Sequence, residues 1–230
     1  MIDSTVPNSS PPSPSDPAPE LAALPRWPAV VALLAVVGLY MGLPDELSLV
    51  PQWILAAVTI VLLIPTTVSH RVGKHELNQI FGYIVNGVET FALIASVALL
   101  VIALPKGIEK PVPLLESAAL LWVTNILVFA LWYWRLDAGG PHRRDARPGH
   151  PSGAILFPQM TLDNDNPAYD ANWSPDFVDY LFVAFNTSTA FSPTDAPILT
   201  RWAKILTMIQ SLISLTIIAL LAARAVNILG

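Results

Sequence analysis

A chain of 230 residues in which 53% of positions are hydrophobic and 13% charged carries about half the charge usual in a soluble domain. With a mean hydropathy of +0.56 and several apolar runs of about 17 or more residues, an integral membrane protein is expected in place of a large soluble core. The formal net charge of -5 excludes a generally basic nucleic-acid binder, and the absence of Cys excludes disulfides, thiolate nucleophiles, iron–sulfur clusters and cysteine zinc sites.

Residues 1–26 hold seven prolines, five serines and no basic residue before Arg26, which predicts a disordered Pro/Ser-rich tail and not a secretory signal. A first uncharged run, Trp27 to Leu43, stops at Pro44. A second opens at Pro51 and Trp53 and ends near Ser69, with Pro65 as a place for a kink. After the polar link from His70 to Glu76, a third helical pattern covers Leu77 to Leu104 and is stopped by Pro105. Pro111 and Pro113 introduce a fourth span, 114–135, which closes on Trp132, Tyr133 and Trp134. Residues 136–175 replace apolar periodicity with glycine, proline and charge, an extramembrane loop of about 40 residues. Ser174 as N-cap, Pro175 at the first helical position and Asp176 in the first turn then start a helix at 177–189 that is too short to cross. A polar turn at 190–195 and a last span at 198–228 complete the pattern, which is the layout of a re-entrant loop. The expected fold is all-α and membrane-integral, with about five transmembrane helices plus one re-entrant helix. Residues 27–112 would form a three-helix bundle and 113–230 a separate module.

In this last third Asp179-Tyr180-Leu181-Phe182 leads through Val183-Ala184 to Phe185-Asn186-Thr187-Ser188-Thr189-Ala190. The run is similar to the end of a pore helix, and the segment resembles the pore module of the potassium-channel superfamily. Thr187 and Thr189 match the threonines before the filter, and Asp195 matches the aspartate after it. Phe191, Ser192, Pro193 and Thr194 stand where those channels have Val-Gly-Tyr-Gly. Ser192 and Thr194 resist the backbone conformations that glycine supplies, and Pro193 fixes φ and lacks an N–H, so a potassium-type filter is not expected. The resemblance implies an inner helix lined by Gln210 and Ser214, one turn apart, and four subunits around an axis. The whole chain is also similar to a group of bacterial membrane proteins sharing the FPQM and TAFSPTD patterns, which implies a multi-pass protein of the cytoplasmic membrane and no particular activity.

Charge sets the expected orientation. With an intracellular N-terminus, nine of the twelve basic residues lie inside: Arg26, Arg71, Lys74, Arg135, Arg143, Arg144, Arg147, Arg201 and Lys204. Lys106, Lys110 and Arg224 lie outside. The usual potassium-channel orientation reverses that count, so an inverted module entered from the cytoplasm is expected, as in pores that resemble those of glutamate receptors. A full crossing by residues 177–197, giving six spans, is the alternative.

Asp163, Asp165, Asp170, Asp176, Asp179 and Asp195 place six carboxylates in a stretch without Lys or Arg, either a cation-concentrating mouth or a solvated loop. Asp163-Asn164-Asp165 starts like a calcium loop but meets Pro167 where the third ligand belongs. Glu89, with Asn86 one turn earlier, lies inside the third run and Asn125 inside the fourth; such groups line an ion path or join helices. His70, His75, His142 and His150 lack metal-ligand spacing and read as surface residues, so no metal or cofactor is expected. No nucleophile elbow, phosphate loop or dinucleotide motif is present, so an enzyme is the class with least support. The expected function is an ion-channel-like, weakly selective cation pore, with lipid, inorganic cations and further copies of the chain as partners. The rivals are a non-conducting scaffold or accessory subunit and a secondary transporter.

Overall fold

The computed structural model describes residues 25–71, 75–106, 111–147, 150, 153–191 and 195–229. Residues 1–24 of the tail expected at 1–26, Lys74, Lys110 and the side chains of His70, Arg71, His75, Lys106 and Arg224 lie outside the described residues, while Arg26 is held by an ion pair. The fold is all-helical: α1 (Trp27–Met41), α2 (Gln52–Arg71), α3 (His75–Lys106), α4 (Pro111–Leu136), α5 (Pro141–Asp145), α6 (Phe177–Thr189) and α7 (Arg201–Leu229). Helix α2 continues through Pro65, and Pro111 takes the first position of α4, where its missing N–H costs nothing.

Three helical stretches among the described residues are long and apolar enough to cross a membrane: Glu76–Ala103, Val112–Gly139 and Arg201–Ala223. Helix α1 has 15 residues and the apolar part of α2 covers Gln52–Thr66, both short of the ~20 residues that a bilayer core asks for. Helix α4 is the centre of the bundle, packed against α1, α3, α6 and α7 through Leu121, Phe129 and Tyr133. Its apolar window is 61% buried against 22% for that of α7, so α7 is peripheral. The outer faces of α3 and α7 expose Phe91, Ile94, Ile205, Met208, Leu212 and Leu215, surface that water disfavours and hydrocarbon accepts.

Hydrogen bonds order the helix ends. Arg26, before α1, pairs with Asp145 at the end of α5 at 2.7 Å. Asn78 Nδ2 donates to the Thr66 carbonyl at 2.5 Å, and Gln79 Nε2 donates to the Gly139 carbonyl at 3.4 Å. The start of α1, the end of α2, the start of α3 and the end of α4 therefore share one end of the bundle, with Arg135, Arg143, Arg144 and Arg147. At the opposite end the Gln52 amide donates to the Leu43 carbonyl. The chain leaves α4 through Ala138 (φ 50), Gly139 (φ 81) and Gly140 (φ 93), and a Cβ at Gly140 would lie 2.9 Å from the Arg135 carbonyl oxygen. The 136–175 loop, read from sequence as irregular, holds α5 and a short 3-10 turn at Pro158–Thr161, and it pairs by one antiparallel bridge, Ile155 with Ile198.

Candidate functional site

Helix α6 starts at the basic end and stops halfway down the bundle. Its first residue, Phe177, meets Trp134 edge-on with ring centroids 6.1 Å apart. Near its end Ser188 lies beside Asn125, about 13 Å further along α4 at ~1.5 Å per residue. The chain then returns: the Leu156 N–H donates to the Pro197 carbonyl at 2.9 Å and the Leu199 N–H to the Ala154 carbonyl at 2.8 Å, so α7 begins at the end where α6 began.

The cap of α6 differs from the sequence reading. Asp176, not Ser174, is the N-cap: its Oδ1 accepts the N–H groups of Val178 at 2.7 Å and Asp179 at 3.2 Å. Asp179 Oδ2 in turn accepts the Asp176 N–H at 2.8 Å. A carboxylate complements the positive helix terminus better than a hydroxyl, and the second carboxylate three residues on closes the box, so the start moves past Ser174 and Pro175. Such a cap contributes about 1 kcal/mol. Two of the six carboxylates are thereby consumed by the helix, while Asp163, Asp165, Asp170 and Asp195 are exposed. No metal-ligand cluster occurs among the described residues.

The junction of loop and α6 is organised by Asp137, which sequence reasoning passed over. Its Oδ2 accepts the Tyr180 hydroxyl at 2.7 Å and lies 2.8 Å from His150 Nε2, and its Oδ1 accepts the Ala154 N–H. His150, expected at the surface, is buried by this contact; His142 is exposed. Arg144 is buried as well, with its guanidinium 4.9 Å from the Tyr180 ring centroid and its NH1 donating at 2.8 Å to the carbonyls of Trp134 and Asp137. Burial pulls the Arg144 pKa below the usual guanidinium value, while Tyr180, Asp137 and Asp145 act the other way. Arg144 therefore holds the loop on the bundle. A lone Asp right after a span was the available signal, since a carboxylate at that depth requires partners.

At the blind end of α6 a second polar cluster joins three helices. Gln210 Nε2 donates to the Ala184 carbonyl at 2.7 Å and to Ser188 Oγ at 2.8 Å, while its Oε1 accepts the Tyr133 hydroxyl at 2.5 Å. Asn125 Nδ2 faces Ser214 Oγ at 3.1 Å, the Gln210 carbonyl at 3.3 Å and Ser188 Oγ at 3.5 Å. Gln210 and Ser214, expected to line a pore, instead face α4 and α6 of their own chain at 0% exposure. The i, i+4 spacing put them on one face, and the tertiary packing turned that face inward.

Thr187 is also buried and donates its hydroxyl to the Val183 carbonyl at 2.8 Å. Thr189 is exposed and donates to the Phe185 carbonyl at 3.0 Å. Ala190 caps the helix, and Phe191 turns away from it with φ 55 and 43% exposure. Ser192, Pro193 and Thr194 lie outside the described residues. In the other half of the bundle Glu89 is buried and its Oε1 accepts the Thr59 hydroxyl at 2.5 Å, which ties α3 to α2; Asn86 is buried one turn earlier.

No family model, curated protein or solved structure matches this chain. Its class is therefore defined by its own architecture: a helical protein with candidate membrane-spanning helices, one half-length helix and a buried polar seam.

Proposed function

We propose that the chain is one subunit of an ion-channel-like membrane protein that passes cations with weak selectivity, α6 being a re-entrant helix entered from the basic, cytoplasmic side. On this reading α1 and α2 cross together with α3, α4 and α7, locally thinning the bilayer, and the protein is a homo-oligomer of the bacterial cytoplasmic membrane, a tetramer by resemblance. The observation that carries it is the course of the chain around α6, which stops at mid-bundle while α7 begins again at the end from which α6 came. A helix C-terminus at mid-depth turns its partial negative charge toward the membrane centre, where it favours a cation. Exposed Thr189 and Asp195 flank the turn and would supply a hydroxyl and a charge near the path. Gln210 and Ser214 have no part in it, being used inside the subunit.

Reconstituted vesicles loaded with a sodium- or potassium-sensitive dye test the proposal. Flux that falls several-fold, or changes ion preference, in Asp195→Asn or Thr189→Ala supports it. Potassium-over-sodium selectivity of potassium-channel quality would overturn the argument from Phe191 to Thr194. One observation favours a second reading, a non-conducting scaffold or accessory subunit: the polar atoms of Ser188, Gln210 and Ser214 are all engaged within one chain. Absence of flux in folded, reconstituted oligomers selects that reading.

A further inference from the structure

Two clefts meet at Arg135, in the last turn of α4. One opens at the basic end and is lined by polar groups, among them Glu76, Gln79, His142 and Arg143. The other runs between α1, α2, α3 and α4 and is lined largely by apolar side chains such as Ala29, Val30, Leu33, Leu63 and Leu131. Arg135 lines both.

Its surroundings do not satisfy it. Arg135 is 8% exposed, its Nε has no hydrogen-bond partner, and no carboxylate among the described residues lies within ion-pair distance of it. The Trp134 ring, 5.6 Å from the guanidinium carbon, supplies a weak cation–π contact; Tyr83 is a favourable neighbour, and Arg26, itself paired with Asp145, an unfavourable one. A charge withdrawn from water without a counter-ion is costly, and the planar guanidinium fork matches a phosphate. Gly82 makes the room: a Cβ there would lie 1.6 Å from Arg135 NH1. One turn deeper on α3, Asn86 is 1% exposed, lines the apolar cleft, and has neither its amide nitrogen nor its oxygen hydrogen-bonded.

A cation at the cleft mouth, an unsatisfied amide one turn in and hydrocarbon beyond form a graded sequence, and it has the order of phosphate, ester and acyl chain. We propose that Arg135 and Asn86 bind a phosphate-bearing amphiphile, with its phosphate on the Arg135 guanidinium and its hydrocarbon in the cleft between α1 and α4. Arg143 at the rim favours the anion, and Glu76 opposes a second negative charge. The level of Arg135, at the basic end of a span, is where an anionic lipid headgroup lies. Inorganic phosphate shares the head chemistry without the tail. The site does not depend on conduction.

The test is the thermal midpoint of the delipidated, full-length protein in detergent, titrated with phosphatidylglycerol, phosphatidylcholine or inorganic phosphate. Saturating phosphatidylglycerol is expected to raise the midpoint by about 5 °C or more, through preferential binding to the folded state. Phosphatidylcholine should raise it less. Arg135→Gln should abolish the shift, and Asn86→Ala should reduce it. Val30→Trp fills the cleft from a half-exposed position, so it keeps the proposal testable where Arg135→Gln does not fold. It should remove the lipid shift and spare any shift from inorganic phosphate. Protection by phosphate alone, insensitive to Val30→Trp, overturns the lipid and assigns the site to a free anion. No protection by either, or equal protection in Arg135→Gln, overturns the site.

Discussion

The Asp137 carboxylate accepts the Tyr180 hydroxyl at 2.7 Å, joining the end of α4 to the first turn of α6 across 43 residues of chain. The same oxygen meets His150 and the other accepts the Ala154 N–H, so a single side chain sets where the loop lies and where α6 begins.

Asp137→Ala should therefore be among the most destabilising single changes in the loop region, by about 3 kcal/mol, because it leaves the Tyr180 hydroxyl, the His150 ring and a backbone N–H buried without their acceptor. Tyr180→Phe removes one donor and should cost about 1 kcal/mol. Unfolding in mixed detergent micelles, followed by far-UV circular dichroism, measures both. Equal effects for the two would show that Asp137 does not act as the shared acceptor.

Gln210 serves three partners on two helices, so Gln210→Leu should cost about 2 kcal/mol, and Asn125→Ala about 1 kcal/mol. Because Gln210 and Asn125 share Ser188, the double variant should depart from additivity by about 0.5 kcal/mol or more. A Gln210→Leu protein of unchanged stability but altered ion preference would place this residue on a water-filled path after all.

Gly140→Ala should destabilise by about 1 to 3 kcal/mol, since φ 93 is strained for alanine and its Cβ would press on the Arg135 carbonyl oxygen. Gly38→Ala, on α1 with open space around the added methyl, is the control and should be neutral or slightly stabilising. A proteolysis half-life of the 137–147 segment reads the local effect directly, and identical half-lives in the two variants would contradict the strain argument.

Apolar runs and the prolines that bound most of them were enough to locate every long helix, though not the five-residue α5, because a segment that must satisfy its own backbone in hydrocarbon has helix as its ready solution. The short run from Phe177 was legible from the Ser174-Pro175-Asp176 start before it and the polar turn after Thr189, although the cap itself is Asp176 closed by Asp179. The clustering of arginines on alternate loops likewise carried the end-to-end arrangement.

The sequence was silent on which face of each helix turns inward. A soluble helix shows its inner face as an apolar stripe, whereas a helix apolar all round, as α7 largely is, offers no such contrast. Gln210 and Ser214 thus shared a face by spacing, but only the packing of α7 on α4 and α6 decided that it points into the chain. His150, Asp137 and Tyr180 are far apart in sequence and meet only because α6 starts beside the end of α4, and Arg135, without a carboxylate partner among the described residues, emerges only once Gly82 lies against it. Composition and periodicity determined that this chain is helical and suited to a membrane; the satisfaction of its buried polar groups, which depends on contacts distant in sequence, was decided by the tertiary structure alone.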